Sequence, residues 1–269
     1  MLHVHSFNPH PLLRHCVESY LIVSVDQAEG GFIENSFLPQ VTQSLVFGLD
    51  KGNTVYDCTR SEFSAPHFIT GPNDTVCRVR LFPGMRKMVI NFKPGGFFKI
   101  FHIPAHHFNN RSRDAVESLG EPLIEIIHQL KKSPLSGKIE LTDAFLINQL
   151  QGQKKTDRNI DEAIQLIERF KGNVSLRELE LATYTTKRTL ERRFLEQVGL
   201  YPKTFSRLVR FTGVIRFIES NLDVKWRQLA DAFGYYDQSH FIHEFKSLTG
   251  GLPNDYFSLK NDFEKIMQV

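Results

Sequence analysis

The sequence predicts an α+β chain: an antiparallel β-barrel or sandwich with flanking helices over residues 1–151, a linker over 152–158, and an all-α domain over 159–269. Three observations support this. Short β-rich stretches fill the first hundred positions, apolar spacing becomes helical after Phe97, and a helix-turn-helix pattern occurs twice near the C-terminal end. The 269 residues are enough for about two domains of ordinary size.

The β-rich stretches of the first domain are predicted to pair as an antiparallel sandwich or small barrel. Turn signals separate them, such as Asp50-Lys51-Gly52-Asn53 and Gly71-Pro72-Asn73-Asp74. The predicted strands are Val17–Val25, Ser44–Leu49, Thr54–Tyr56, His67–Thr70, Val76–Phe82 and Met85–Phe92.

Two helices are predicted after these strands, because apolar residues recur at helical spacing in Glu121–Leu130 and Ile139–Leu150. Such helices beside a barrel can form the seam of a homodimer, or they can simply cover the sheet, and the sequence leaves both open. The polar residues 152–157 read as a linker, and the apolar spacing from Ile160 to Phe170 begins the second domain.

Near the C-terminal end a short amphipathic helix is followed by a second helix with one apolar and one polar side. The first runs from Trp226 to Phe233 and the second covers Asp237–Ser247, in which Phe241 and Phe245 share one face. This is the layout of a helix-turn-helix, whose second helix enters the major groove of DNA. Any small helical hairpin also has an apolar and a polar face, so one copy alone does not decide between the two.

The same unit occurs a second time, 51 positions earlier, where Leu190 and Phe194 correspond to Phe241 and Phe245. Its second helix is predicted over Thr186–Gln197. A repeated unit is a much stronger signal than a single periodic helix. The helix predicted between the units, Pro202–Ser220, would be about 28 Å long at 1.5 Å per residue, close to one DNA turn of about 34 Å.

The charge distribution also favours DNA over the alternative of a solvated helix face. The net charge of the chain is only +3. Between Lys187 and Arg216, however, eight Lys and Arg residues stand against two Glu, a local charge of +6. A basic stripe on two helices can contact phosphates even when the whole chain is nearly neutral.

The repeated motifs resemble those of AraC/XylS-type transcriptional regulators, over roughly residues 157–259. The resemblance lies in the core Ser239-His240-Phe241-x-x-x-Phe245-Lys246 with Gly250-x-x-Pro253-x-x-Tyr256, and in a diverged copy ending Gly199-x-x-Pro202-x-x-Phe205. A shorter match around residues 92–96, Phe-Lys-Pro-Gly-Gly, is similar to the cupin-like sensor half of these regulators. The chain departs from the family pattern at Glu180 (usually Ala), Tyr184 (usually Gly) and His243 (usually Arg).

This resemblance implies a sequence-specific bacterial regulator that binds double-stranded promoter DNA, acts with RNA polymerase, and is modulated by a small-molecule effector at the N-terminal domain. A homodimer formed through the N-terminal domain is also compatible with it. Bases would be read by Arg188, Glu191 and Arg192 in the first unit and by Gln238, Ser239, His240 and His243 in the second. Arg pairs with guanine and Gln with adenine, at roughly 1–3 kcal/mol of discrimination each. Phosphate contacts are expected from Lys187, Arg193, Lys203, Arg207 and Lys246, although Arg193 equally suits an internal salt bridge.

Two rival functions can be stated. A metal-dependent enzyme with a cupin-like active site would need ligands, and histidines do cluster at His3, His5, His10 and His15 and at His102, His106 and His107. The first cluster precedes the first predicted strand and the second follows the last, without an obvious carboxylate, so we assign no metal, no cofactor and no catalytic residue. Alkyl-transfer repair proteins carry the same paired helices, but Cys16, Cys58 and Cys77 are too dispersed for their zinc cluster.

The remaining sequence features concern location. No apolar run reaches the roughly 18 residues of a membrane span, and the first residues lack the layout of a signal peptide. We therefore expect a cytoplasmic protein that is not bound to a membrane and whose three cysteines are reduced.

Overall fold

A computed structural model describes residues 1–151, 158–220 and 225–255. The N-terminal part contains two antiparallel sheets. The larger has the strand order β1-β2-β9-β4-β7-β10 and the smaller β3-β8-β5-β6. The strands are β1 Leu2–Phe7, β2 Val17–Val25, β3 Ile33–Phe37, β4 Gln43–Gly48, β5 Val55–Asp57, β6 Glu62–Phe63, β7 Phe68–Thr70, β8 Cys77–Leu81, β9 Arg86–Phe92 and β10 Ser112–Asp114.

The predicted strands are confirmed as β2, β4, β5, β7, β8 and β9, with ends that differ by at most one residue. Four further strands were not predicted, and β1 corrects the interpretation of the first histidines. His3 and His5 do not precede the first strand but lie on it, at the edge of the large sheet. No residue of this edge strand is fully buried, so it carries little hydrophobic pattern, which explains why its sequence did not reveal it.

The helices cover one face of the large sheet and then form the C-terminal part. They are α1 Gly96–Phe101, α2 Ala115–Leu119, α3 Glu121–Lys132, α4 Leu135–Gln151, α5 Arg158–Arg169, α6 Leu176–Thr183, α7 Lys187–Val198, α8 Pro202–Ser220, α9 Trp226–Ala232 and α10 Gln238–Thr249. A 3-10 helix, Ala105–Phe108, follows α1. The long helix α8 has the predicted bounds, and α5 begins at Arg158, the last residue of the predicted linker. Residues 152–157 and Tyr256 of the second motif lie outside the described residues.

Two hydrophobic cores follow from this layout. The first lies between the large sheet and α1–α4, where Tyr20, Phe47 and Leu123 are fully buried. The predicted helices α3 and α4 therefore cover the sheet, and a dimer seam on their outer faces stays a prediction. A smaller cluster between the two sheets contains Val25 and Val79.

The second core belongs to the C-terminal part, with α8 at its centre. Phe205 and Phe211 of α8 are buried, and they pack against the two helices that the sequence predicts to read DNA. The ring of Phe205 lies 5.3 Å from that of Phe194 on α7, and the ring of Phe211 lies 5.7 Å from that of Phe245 on α10. The single helix α8 thus packs against the second helix of both units.

The two parts also contact each other. Lys99 of α1 forms an ion pair with Asp161 of α5 at 2.6 Å. The Asn109 side-chain amide donates a hydrogen bond to the carbonyl oxygen of Gly199, directly after α7. In the described part of the chain, α7 packs closely on α1 and on the 3-10 helix, whereas no N-terminal element packs as closely on α9 or α10.

Candidate nucleic-acid interface

The first unit consists of α6 and α7, and each begins with a side-chain cap. Ser175 and Glu178 form a reciprocal capping box at the start of α6, with the Ser175 backbone N–H donating to Glu178 at 2.7 Å. Thr186 caps α7, accepting from the Thr189 backbone N–H at 3.4 Å. These caps fix where the second helix of the unit starts.

Glu180 adds a further cap that the sequence did not reveal. Its carboxylate accepts a hydrogen bond from the Lys187 backbone N–H at 2.5 Å, at the first residue of α7. A carboxylate at a helix N-terminus is stabilising, because it satisfies a free N–H group and lies at the positive end of the helix dipole. The departure from the family pattern at this position therefore joins α6 to α7 instead of disturbing their packing.

The side of α7 that faces the core is apolar, and the opposite side carries the predicted readers. Leu190 and Phe194 are fully buried. Lys187, Arg188 and Arg192 are exposed, and Glu191 and Arg193 are half-buried.

Arg192 has one partner on its own helix, Glu196, at 3.7 Å. The Arg192 side chain is 66% exposed, and surface pairs of this kind contribute roughly 0–1 kcal/mol. The guanidinium can therefore leave this carboxylate for DNA at little cost.

The second unit, α9 and α10, repeats the design with different contacts. Asp237 caps α10 by accepting from the His240 backbone N–H at 2.7 Å. The turn between the helices contains Gly234 at φ 69°, and a side chain there would meet Asn173. Asn173 also donates a hydrogen bond to the Phe233 carbonyl at 3.1 Å, which ties the turn to the loop before α6.

The predicted readers of α10 lie on its outer side. Gln238, Ser239, His240, His243 and the predicted phosphate partner Lys246 are all exposed. The ring of His240 contacts Tyr235 at 5.5 Å, and its Nδ1 accepts from the Tyr236 backbone N–H at 3.3 Å. In the neutral ring, Nε2 is then the protonated nitrogen and a hydrogen-bond donor.

Arg207 has a different environment from the one the phosphate prediction assumed. Its Nε donates to the Glu244 carboxylate at 3.2 Å, and its terminal nitrogen contacts Ser247 at 3.4 Å. The Glu244 side chain is only 10% exposed, so this ion pair is partly desolvated and holds α8 against α10. A phosphate would have to displace Glu244.

Tyr235 and Arg210 extend this network. Burial, followed by the nearby Glu244 carboxylate, raises the pKa of the Tyr235 phenol, which keeps it protonated. The Arg210 guanidinium lies 5.2 Å from the Tyr235 ring and also donates to the Gly172 carbonyl at 3.2 Å. Two of the eight cations of the predicted basic stripe are thus used inside the domain.

The sequence did contain a signal for this network. Glu244 stands between Phe241 and Phe245 on the apolar side of α10, where a charged residue requires a partner. Lys203, the other predicted phosphate contact on α8, is exposed.

Across residues 1–151, 158–220 and 225–255, no three histidine, cysteine, aspartate or glutamate side chains come together as metal ligands. In the same ranges, none of the helices combines the length and the apolar character needed to span a bilayer.

Comparison with known proteins finds two families. Residues 181–258 match a family described as a helix-turn-helix domain, and residues 5–114 match a domain of unknown function, DUF6597. None of the curated proteins matches the chain.

Several solved structures are distantly similar to the chain. An apo variant of ToxT from Vibrio cholerae strain SCE256 is 14% identical with a TM-score of 0.44, covering 88% of this chain and 96% of that one. A second ToxT structure is 12% identical with a TM-score of 0.42, covering 95% and 97%. The AraC-like transcriptional activator CuxR is 8% identical with a TM-score of 0.20, covering 99% and 81%.

Proposed function

We propose that this chain, a DNA-binding transcriptional regulator whose C-terminal domain is an AraC-type helix-turn-helix domain, reads two successive major grooves with α7 and α10. The observation that carries the proposal is the shared design of the two units. Each has a capped second helix whose apolar side is packed on α8 and whose polar side is exposed. The 19 residues of α8 span about 28 Å, which suits the spacing of adjacent grooves.

The first unit is proposed to read G·C-rich sequence. Arg188 and Arg192 are exposed donors that match guanine O6 and N7, and Glu191 can accept from cytosine N4. Lys187 and Arg193 flank them as the phosphate contacts. Each correct bidentate pair contributes about 1–3 kcal/mol of discrimination.

The second unit is proposed to read a less G·C-dependent sequence. Gln238 matches adenine N6 and N7, and Ser239, His240 and His243 can each donate or accept a hydrogen bond. Lys246 at the far end of α10 and Lys203 on α8 serve as phosphate contacts. Arg207 is proposed to act indirectly, by holding α10 in place through Glu244.

We also propose that a small polar effector binds where the two parts meet. A cavity of about 680 Å³ lies there, between Thr42, Asn91 and Lys93 on one side and Gln165 and Arg216 on the other. Asn91 of β9 is hydrogen-bonded to the side chains of Ser44 on β4 and Ser19 on β2, which extends the polar surface along the large sheet. A molecule in this cavity would contact both parts and favour one arrangement of them, as allosteric coupling requires.

Selection of bound duplexes from a random DNA pool tests the proposal, first with the protein alone and then with candidate metabolites added. The expected result is a bipartite site whose halves are centred about one helical turn, 10–10.5 base pairs, apart. Enrichment of no sequence, or of a single short block, would contradict it. A metabolite whose addition changes how strongly the selected duplexes are enriched would be identified as the effector.

A further inference from the structure

Two tyrosines in the DNA-binding domain are almost wholly exposed. Tyr184 is 94% exposed and Tyr236 90%, and among the described residues no other large hydrophobic side chain exceeds 74%. Neither phenol hydroxyl has a hydrogen-bond partner within the described part of the chain. Tyrosine is an amphipathic residue that usually keeps its ring in contact with other groups. Rings as exposed as these bury little surface, so they add little to the stability of the fold.

Both tyrosines lie directly before the second helix of their unit, although the 51-residue offset of the repeat pairs Tyr184 with the buried Tyr235 and Tyr236 with Thr185. Tyr184 lies two residues before Thr186, the cap of α7, and Tyr236 lies one residue before Asp237, the cap of α10. The start of a recognition helix is the part that approaches base edges in this class of domain. Side chains that directly precede it are therefore expected next to the sugar-phosphate backbone that borders the groove.

Tyr184 is also held in a costly backbone conformation. It ends α6 in the left-handed region, with φ 51° and ψ 35°. Glycine adopts this region freely, whereas an L-residue with a side chain is disfavoured there. A bulky residue that is strained and exposed is better explained by a ligand than by stability.

We propose that Tyr184 and Tyr236 are DNA contacts, one for each unit, a role that rests on the proposed function. The phenol O–H donates a hydrogen bond to a phosphate oxygen, and the ring packs on the adjoining deoxyribose. Because the phenol is neutral, the contact releases no counterion, and it adds affinity without adding salt dependence. Because it touches the backbone, it adds affinity on every sequence to a similar extent.

The variant Tyr184→Gly separates this role from a structural one. Glycine removes the phenol and also relieves the backbone strain, so thermal stability should rise while DNA affinity falls. Tyr184→Phe keeps the ring and removes only the hydroxyl, and Tyr236→Ala and Tyr236→Phe make the same comparison in the second unit. Ser61→Gly is the matched control, since Ser61 is exposed in the N-terminal part with φ 58°.

Fluorescence anisotropy with a selected duplex, repeated over a series of salt concentrations, measures the DNA affinity of each variant and its salt dependence. Tyr184→Phe should bind about five-fold more weakly, as expected for the loss of one neutral hydrogen bond. Tyr184→Gly, which also loses the ring contact, should bind more weakly still, with an unchanged salt slope and a raised Tm. Ser61→Gly should raise Tm and leave binding unchanged.

If the parent binds and Tyr184→Gly binds equally well, or loses affinity and stability together, the inference for Tyr184 is overturned. The same holds for Tyr236 if its alanine variant binds as the parent does. If the parent itself selects no duplex, the proposed function fails instead.

Discussion

The two helix-turn-helix units differ in what holds them in place. The first is supported from outside its domain, because α7 packs on α1 and the 3-10 helix and Asn109 donates to Gly199. The second is supported from within, through Arg207 and Glu244. Their outer sides differ as well, since α7 presents arginines and α10 presents histidines and a glutamine.

This difference predicts that the two units respond differently to changes in the N-terminal part. The unit that leans on the N-terminal part can respond to a change in that part, whereas the unit that leans on α8 keeps its position. A change in the N-terminal part is therefore expected to alter the position of α7 more than that of α10.

Removal of the Arg207 guanidinium should cause the largest loss of stability, and the loss should affect the second unit. Arg207→Ala leaves the nearly buried Glu244 carboxylate without its ion-pair partner, which costs about 2–3 kcal/mol given that Arg207 is itself partly exposed. Urea unfolding measures the loss. Lys203→Ala on the same helix is the control, because Lys203 is exposed and should change stability by less than about 0.5 kcal/mol. Equal stability of both variants would refute the role assigned to the Arg207 pair.

Lowering the pH should reduce the stability of the N-terminal part before the carboxylates become protonated. Burial lowers the pKa of His67 from 6.5 to about 4, and the nearby charges of Lys131 and Lys87 act in the same direction. The neutral ring accepts a hydrogen bond at Nδ1 from the Gly48 backbone N–H. The unfolded state then binds a proton that the folded state does not. Stability is thus fully present above pH 6.5 and is lost as the pH falls from 6.5 towards 4.

Between pH 7 and pH 5 this single histidine should remove about 2 kcal/mol of the free energy of unfolding. His67→Gln should show a shallower pH dependence over that interval, which urea unfolding at the two pH values measures. An identical slope in the parent and the variant would exclude His67 as the source.

The smallest effects are expected for substitutions of two asparagines, one of which supports each unit. Asn109→Ala removes the hydrogen bond to Gly199 after α7, and Asn173→Ala removes the one to Phe233 before α10. Each loss should cost about 1 kcal/mol. Hydrogen exchange should be faster in α7 for the first variant and in the α9–α10 turn for the second. If both variants loosened both units equally, the units would not be supported separately.

The sequence predicted those features that depend on a repeated pattern. The strand Val17–Val25 and the helix Pro202–Ser220 have the predicted bounds, because alternation and helical spacing extend over many residues there. The short strands β6 and β10 were missed, because they contain at most one apolar residue, whereas the equally short β5 and β7 lie next to clear turn signals.

For the candidate site, the sequence placed the readers on exposed sides but missed the contacts made across space. The pairing of Arg207 with Glu244 joins residues 37 positions apart, and the cap that Glu180 places on α7 depends on how closely two helices approach. A charge count cannot distinguish a cation that faces solvent from one that faces a buried carboxylate. The sequence did not suggest the contacts proposed for Tyr184 and Tyr236, because the exposure of both and the backbone conformation of Tyr184 are visible only in the fold.

The most direct test of two independent readers is selection of DNA by the parent, by Arg192→Ala and by His243→Ala, at one fixed salt concentration. Arg192→Ala should lose preference at one position of the first half-site, by about 1–3 kcal/mol, and keep the second half-site intact. His243→Ala should do the converse. If either substitution relaxed both halves, or if both variants selected the parent sequence unchanged, α7 and α10 would not be separate readers of successive grooves.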